Sequence, residues 1–296
     1  MDGLLMENSM KIRFVITLAL TTFLSTCSAE KLTIDQDLVF VEGEEFILGK
    51  ENLTSHLVRV KLDDFYISKY ETTVEQWELF LEDTKIPYLW RDKYTDTRIE
   101  SPYSDSPIPV HWIQAVEYLN WVSRKYGLEE CYVINGEDVE WIREANGYRL
   151  LTDAEWEYAA RGGNLSKGYE FSGSNDLDEV AWTGWNSANT AHPVGIKKSN
   201  ELGLFDMSGN MSEWCWDLSF DYPNNLSVLL SKPIGPSKGE YLKIKDEYYR
   251  ISRGGSYGTV DEFQFTPFYR TGSFEKGTGS GGLGLRLARN APIESP

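Results

Sequence analysis

Residues 253–286 read RGGSYGTVDEFQFTPFYRTGSFEKGTGSGGLGLR. No helical period runs through this stretch, and its glycines would weaken a long strand. It holds no Cys, no His, no Asn and a single Lys. Its two ends, RGGSY and LGLRLARN, have the look of strands in a packed domain. A segment this long and mixed, anchored at both ends, demands a loop-rich scaffold. It is then either a disordered insertion or a binding surface.

The rest of the chain can supply that scaffold. Of its 296 residues, 41% are hydrophobic, and 10 Trp, 17 Tyr and 13 Phe give enough apolar mass for a real core. The aromatic load and 25 Gly favour irregular architecture over a helical bundle. The net charge of −17 repels phosphate backbones and anionic lipid. Nucleic-acid binding and docking of the domain on a membrane are therefore not expected. The same acidity also serves plain solubility.

The N-terminus reads as an export signal. Lys11 and Arg13 precede an apolar run at 14–24 that is too short to span a bilayer. MKIRF, from Met10, opens such a signal better than the residues before it. The run ends in Leu24-Ser25-Thr26-Cys27, which resembles a bacterial lipobox with Thr in place of the commoner small residue before Cys. The expectation is a signal at 1–27, a lipid attached to Cys27 and a polar tether at 28–37. Acyl chains would then anchor the protein at about 0.8 kcal/mol per buried CH₂. Cleavage near Ala29 without a lipid is the alternative. Cys131 and Cys215 remain, as a disulfide or as two separate buried thiols.

One domain is expected over 38–296, of α+β class with few helices, short strands and long loops. LVFVEGEEFILG, from Leu38, reads as two strands broken at Gly43. Residues 58–62 alternate as a third strand. Thr72 or Thr73 caps a helix over 74–82, with Val74, Trp77 and Leu81 on one face. A second helix covers 113–126 and stops at Gly127. One or two strands lie within 128–148. A third helix follows the capping box Thr152-Asp153-Ala154-Glu155 and stops at Gly162-Gly163. Short strands and long loops follow.

Most catalytic constellations are missing. His56, His111 and His192 share no metal-ligand spacing. There is no G-x-S-x-G elbow and no Walker lysine. One oxygen-rich cluster stands out, Asp206-Met207-Ser208-Gly209-Asn210-Met211-Ser212-Glu213. Carboxylates and turn carbonyls suit calcium. The same residues also suit a structured turn in which Asp206 and Asn210 accept local N–H groups.

Seven stretches, in order, resemble the formylglycine-generating enzyme family, the sulfatase-modifying-factor domain. They are VEGEEFILG (41–49), ISKYETTVEQW (67–77), PVHWIQAVEYLNW (109–121), GYRLLTDAEWEYAARGG (147–163), HPVGIKKSNELGLFDMSGNMSEWCWD (192–217), RGGSY (253–257) and LGLR (283–286). The resemblance covers about 38–290 and implies an irregular C-type-lectin-like fold. It also implies a calcium loop, with the side chains of Asp206 and Glu213 and the carbonyls of Gly209 and Met211 as ligands. Met211-Ser212 departs from the Val-Trp of many members.

The family's oxidase chemistry does not carry over. Its two cysteines would fall near Thr259 and Gln264, and no Cys follows Arg253. A hydroxyl or an amide cannot replace a thiolate nucleophile or a copper ligand. No catalytic residue and no copper are expected.

A non-catalytic subgroup is more similar still: the variable proteins of diversity-generating retroelements, surface lipoproteins of spirochaetes among them. There, adenine-directed mutagenesis of AAC codons rewrites a C-terminal segment that the fold displays. Such codons can give Gly, Thr, Val, Asp, Phe, Ser and Tyr but never Glu, Gln or Lys. The resemblance thus implies that Glu262, Gln264, Glu275 and Lys276 are fixed or come from other codons. The expected ligand-binding residues are Tyr257, Gly258, Thr259, Val260, Asp261, Phe263, Phe265, Thr271, Ser273, Phe274, Thr278 and Ser280. Exposed aromatics give contact area at low entropy cost, and Gly and Ser allow close approach. The bland reading sends Phe265, Phe268 and Tyr269 into the core, and for the last two it is the stronger. The expected product is an exported lipoprotein at the outer membrane or cell surface, binding an unknown protein or cell-surface ligand. A fixed scaffolding lipoprotein and an enzyme of unknown chemistry are the alternatives.

Overall fold

The computed structural model describes residues 37–86, 103–136, 138–237, 248–275 and 282–292. The signal, Cys27, most of the tether and the positions Thr278 and Ser280 lie outside these residues. Among the described residues no helix is long and apolar enough to cross a membrane.

Chain order begins with a hairpin nested in sequence between two paired strands. β1 (Leu38–Val41) and β2 (Glu45–Leu48) flank Gly43, as the sequence predicts. β3 (Val58–Lys61) buries Val58 and Val60 and pairs antiparallel with β2. β4 (Phe65–Ser68) pairs antiparallel with β1. α1 (Val74–Thr84) starts at Thr73, whose hydroxyl accepts the Gln76 N–H while the Gln76 side chain accepts that of Thr73. Its buried face carries Trp77 and Phe80. Leu81, expected on that face, is only half-buried: the partner helix packs against the 77–80 side.

That partner is α2 (Trp112–Lys125), which buries ten of its residues and closes at Tyr126. β5 (Tyr132–Asn135) and β6 (Asp138–Trp141) form a hairpin. β7 (Tyr148–Arg149) then leads into α3 (Asp153–Ala160). Both bonds of the capping box at Thr152 are present. All of α3 is buried, so its acids need partners. Arg149 takes Glu155 in a bidentate pair at 2.7 and 2.8 Å. Arg253 takes Asp153 at 2.6 Å and Glu157 at 3.2 Å.

After a one-turn helix α4 (Leu177–Val180), absent from the sequence reading, come β8 (Ser212–Leu218), β9 (Asn225–Ser231) and β10 (Tyr249–Arg253). β11 (Thr271–Phe274), β12 (Leu283–Gly284) and β13 (Ala288–Asn290) complete the chain. Two four-stranded sheets run β1-β4-β13-β7 and β11-β10-β8-β12, and a three-stranded sheet runs β2-β3-β9. One core cluster joins β3, β4 and α3 around Phe65, Ile67 and Trp156. Cys131 and Cys215 are both free and buried, so the two-thiol alternative holds.

Two details at the odd segment differ from expectation. The strand ends at Arg253, and RGGSY itself is a turn with Gly254 and Gly255 at φ 93° and 70°. A side chain at 255 would also meet Phe265 Cδ1 at 2.8 Å, so the close approach of that ring requires glycine. Beyond it the chain is ordered through 257–275, as a 3₁₀ turn at Glu262–Phe265 followed by β11.

Candidate functional site

The loop 206–213 is the support on which the odd segment rests. Asp206 and Asn210 both take left-handed backbone, at φ 58° and 59°. Glu71, just ahead of α1, holds the loop: its carboxylate accepts the Asn210 amide at 2.7 Å and the Met211 N–H at 2.9 Å. The loop then holds the segment. Asn210 O accepts the Tyr257 N–H at 2.7 Å, and the Ser208 hydroxyl donates to Phe265 O at 2.8 Å. Each bond is buried or half-buried, so the backbone of 257–265 is fixed from beneath.

A second loop, 182–192, clasps the segment from the side. Gly184 N–H donates to Thr259 O, and the Ser187 hydroxyl to Tyr257 O, both at 2.8 Å. His192 stacks on Trp182 at 3.7 Å and returns its backbone N–H to Asn210 Oδ1. The surface that results is apolar and exposed at its centre. Val260 is 62% and Trp185 59% exposed, and Gly184 lies close beneath Val260.

The predicted ligand-binding residues divide. Gly258, Val260 and Asp261 are exposed, and Tyr257, Thr259 and Phe263 are half-buried at the same turn. Asp261 also caps the 3₁₀ turn by accepting the Phe263 N–H at 3.2 Å. Thr271 and Phe274 are exposed and Ser273 half-buried on β11. Phe265 is a correction: it is fully buried against Phe171, Val180 and Ala181 and has no surface to offer. Two residues on from Phe263, it lies two-thirds of the way round a 3₁₀ turn and so on a different face. Phe268 is buried, and Tyr269 only half so. The side chain of Thr259, near which the family resemblance would set a cysteine, accepts the Ser256 N–H at 3.0 Å.

Sequence reasoning missed the whole 182–192 loop. Its signal was there, since Trp185 sits among Gly, Asn and Ser with no apolar period to bury it. It also missed the buried ion pair of Glu275, whose carboxylate accepts Arg250 Nη2 at 2.9 Å.

Two of the proposed calcium ligands, Asp206 and Glu213, lie with Glu71 in a pocket of like charge. Glu71, Asp206 and Glu213 are all buried there and share one cation, Arg286. Burial lifts the Glu71 carboxyl well above its ordinary range, and the Asp206 and Glu213 charges add to the lift. Burial likewise pushes Asp206 up to about 6, against the Gly195 N–H and Arg286. Glu213 Oε1 accepts Arg286 Nε and Nη2 at 2.8 and 2.7 Å, and its Oε2 accepts Trp156 Nε1 at 2.7 Å. Asp206 Oδ2 accepts the Gly195 N–H at 2.7 Å, while its Oδ1 is buried with no protein donor. Among the described residues no group of three or more His, Cys, Asp or Glu is arranged as a ready metal cage. Asp206 Oδ1 fits a cation, and Glu213 would have to share its oxygens with Arg286.

Short strands and few helices, with long loops held by buried Arg–carboxylate pairs, define a C-type-lectin-like α+β protein of the formylglycine-generating type. The chain belongs to that family: the sulfatase-modifying factor enzyme 1-like domain matches residues 25–291. It is 34% identical over 308 residues to the chaperone protein LppX of Paenibacillus barcinonensis, covering 93% of this chain and 97% of that one. It is 29% identical over 248 residues to the serine/threonine-protein kinase Pkn1 of Chlamydia trachomatis, covering 76% of this chain but 34% of the kinase. The chain thus spans only about a third of that relative. Among solved structures, Treponema denticola variable protein 1 superimposes with a TM-score of 0.70 at 27% identity, over 86% of this chain and 95% of that one. The resemblance to the variable proteins therefore extends to structure.

Proposed function

We propose that this chain is a non-catalytic binding protein whose contact surface is the 257–264 turn, its neighbour Trp185 and the adjoining β11. One observation carries the reading. The segment where oxidase relatives keep two cysteines has none here, yet its backbone is pinned by the 182–192 and 206–213 loops and its apolar tips face outward. A rigid backbone with exposed Val260 and Trp185 loses little entropy on binding. The similarity to Treponema denticola variable protein 1 supports the further step, that residues 257–282 vary by retroelement mutagenesis. The lipobox-like Leu24-Ser25-Thr26-Cys27 supports export and lipid anchoring at the outer membrane or cell surface. The unpartnered Asp206 Oδ1 supports a structural calcium on the 206–213 loop.

The diversification step is tested beside the gene. A near-copy of the 3′ end differing only at adenines, together with a reverse transcriptase, is expected. Absence of both removes it and leaves a fixed binding protein. Oxidation of a Cys-containing sulfatase peptide by the purified domain would overturn the non-catalytic reading. Radioactive palmitate should label the wild type and not Cys27→Ser.

A second reading takes its support from LppX, whose name describes a chaperone and which matches nearly end to end. On that reading the same surface is constant and holds a client protein. Identical sequence at 257–282 in independent isolates would favour it over diversification.

A further inference from the structure

Val260 and Trp185 form one exposed apolar knuckle. A Cβ at Gly184 would stand 2.7 Å from Val260 Cγ1, so their loops touch, and the Trp185 ring lies 6.4 Å from the buried Phe265 ring between centroids. Acids surround this knuckle. Residues 176–198 and 257–265 hold five acids against two lysines. Asp176, Asp178, Asp261 and Glu262 are all exposed. The Asn186 amide donates to Asp178 Oδ1 at 2.9 Å, which ties that carboxylate to the residue after Trp185. Asp261 follows Val260 and accepts the Phe263 N–H at 3.2 Å and Gln264 Nε2 at 3.4 Å. Asp176 accepts the Asp178 N–H at 3.0 Å.

The local cations are engaged elsewhere. Lys198 pairs with Glu179 at 2.8 Å. Lys197 donates to the Asp178 carbonyl at 2.6 Å and lies over the Trp182 ring. Arg270, the only cation of 257–275, turns inward to Asp153 at 2.8 Å and, with His56, lines a cleft of about 280 Å³. Among the described residues no cation forms an ion pair with Asp176, Asp178, Asp261 or Glu262. Asp176 and Asp261 cap the one-turn elements that follow them, whereas Asp178 and Glu262 cap nothing. Hydrogen bonds hold Asp176, Asp178 and Asp261 in place, so little rotamer freedom is left to lose on binding. An apolar centre inside a fixed acidic rim is what a basic face with an apolar side chain at its middle would complement.

We propose that the partner of this surface is a basic protein or peptide face, an apolar side chain flanked by Lys or Arg. The proposal rests on the reading of 257–264 and Trp185 as a contact surface. The apolar side chain packs on Trp185 and Val260, and the flanking cations meet Asp178 and Asp261. The same rim rejects acidic partners, because like charges set against each other across an interface repel. Asp176, Asp178 and Trp185 lie outside 257–282, so the preference belongs to the scaffold whether or not that segment varies.

Acetylated, amidated pentapeptides with a shared Leu-Phe-Leu centre serve as probes, flanked at both ends by Lys, by Gln or by Glu. The purified protein is titrated with each at about 0.02 M salt. NMR follows the Trp185 indole N–H and the backbone amides of 184–186 and 258–262. The Lys peptide should shift these signals saturably, with a midpoint on the order of 1 mM. The Gln peptide should bind more weakly, and the Glu peptide at least about tenfold more weakly than the Lys peptide. Raising the salt to about 0.5 M should draw the midpoints together. Because the whole chain is acidic, two double variants separate the rim from the net charge. Asp178→Asn with Asp261→Asn keeps the hydrogen-bond acceptors and should reduce the Lys-over-Glu ratio to about threefold or less. Glu140→Gln with Glu144→Gln, on and just beyond β6, removes the same charge and should leave the ratio at about tenfold. Equal midpoints for the Lys and Glu peptides, or equal ratios in the two double variants, overturn the basic partner and leave the contact surface standing. No shift at Trp185 with any of the peptides overturns both.

Discussion

Gly184 donates its backbone N–H to the carbonyl of Thr259 at 2.8 Å. With the Ser187 hydroxyl bond to Tyr257 O, it joins a loop with no proposed role in variation to the turn proposed to vary. A Cβ at 184 would stand 2.7 Å from Val260 Cγ1 and 2.9 Å from Thr259 O. The contact therefore sets how far the 257–264 turn stands off the scaffold.

Gly184→Val should displace that turn more than it harms the fold. Overpacking at a half-open site costs about 1–3 kcal/mol. The expected outcome is a cooperative melt only a few degrees lower, with amide shifts confined to 182–192 and 257–264. Shifts spread through β8 and β10 would mean that the turn is not separately seated.

Trp185→Ala tests the surface itself. The indole is 59% exposed, so its loss should change stability by no more than about 0.5 kcal/mol. In a ligand selected against this surface, the same change should cost at least about 2 kcal/mol, the loss expected of a central aromatic anchor. Calorimetry of both quantities on one preparation decides it.

Arg286→Leu should be severe. Arg286 is fully buried and bonds Glu213, Ser68 O and Phe205 O. Removing one member of a buried pair strands the other, at about 3–5 kcal/mol. Glu213→Gln, which keeps acceptors for the guanidinium, should cost less. Urea unfolding of both variants gives the order.

Thr152→Ala removes one half of the box that starts α3. A loss of about 1 kcal/mol is expected, with an unchanged denaturant slope.

Stability should respond to pH through Asp206. Its folded-state pKa of about 6 lies above the ordinary 3.8. The folded protein then holds this proton more tightly than the unfolded chain. That contribution is complete below about pH 4 and is lost as pH rises through about 6. It is capped at about 3 kcal/mol, two units at about 1.4 each. With a chelator present, wild type should lose more stability than Asp206→Asn across that window. Calcium needs the ionised carboxylate, so calcium in the buffer should shrink the difference. An unchanged difference with calcium removes the proposed metal.

Much of the scaffold was legible without coordinates because its signals are local. The strand break at Gly43 and the caps at Thr73 and Thr152 depend on residues within three or four of each other. The absence of cysteine after Arg253 needed only reading. What was not legible depended on distance along the chain. Phe263 and Phe265 look alike in sequence, and only the approach of Phe171 and Ala181 separates a half-exposed ring from a buried one. Leu81 and Phe80 were likewise sorted by where α2 packs.

The sequence by itself determined the family frame, the early strands, the helix starts and the loss of thiol chemistry in the C-terminal segment. The tertiary structure alone decided that residues 257–265 form a turn pinned to the scaffold, that Trp185 stands beside it and that Arg270 and His56 line a cleft next to it. The reason is physical. A cap or a hairpin closes over a few residues, whereas the pairing of Arg286 with Glu213 spans 73 positions and exists only once the core between them has formed.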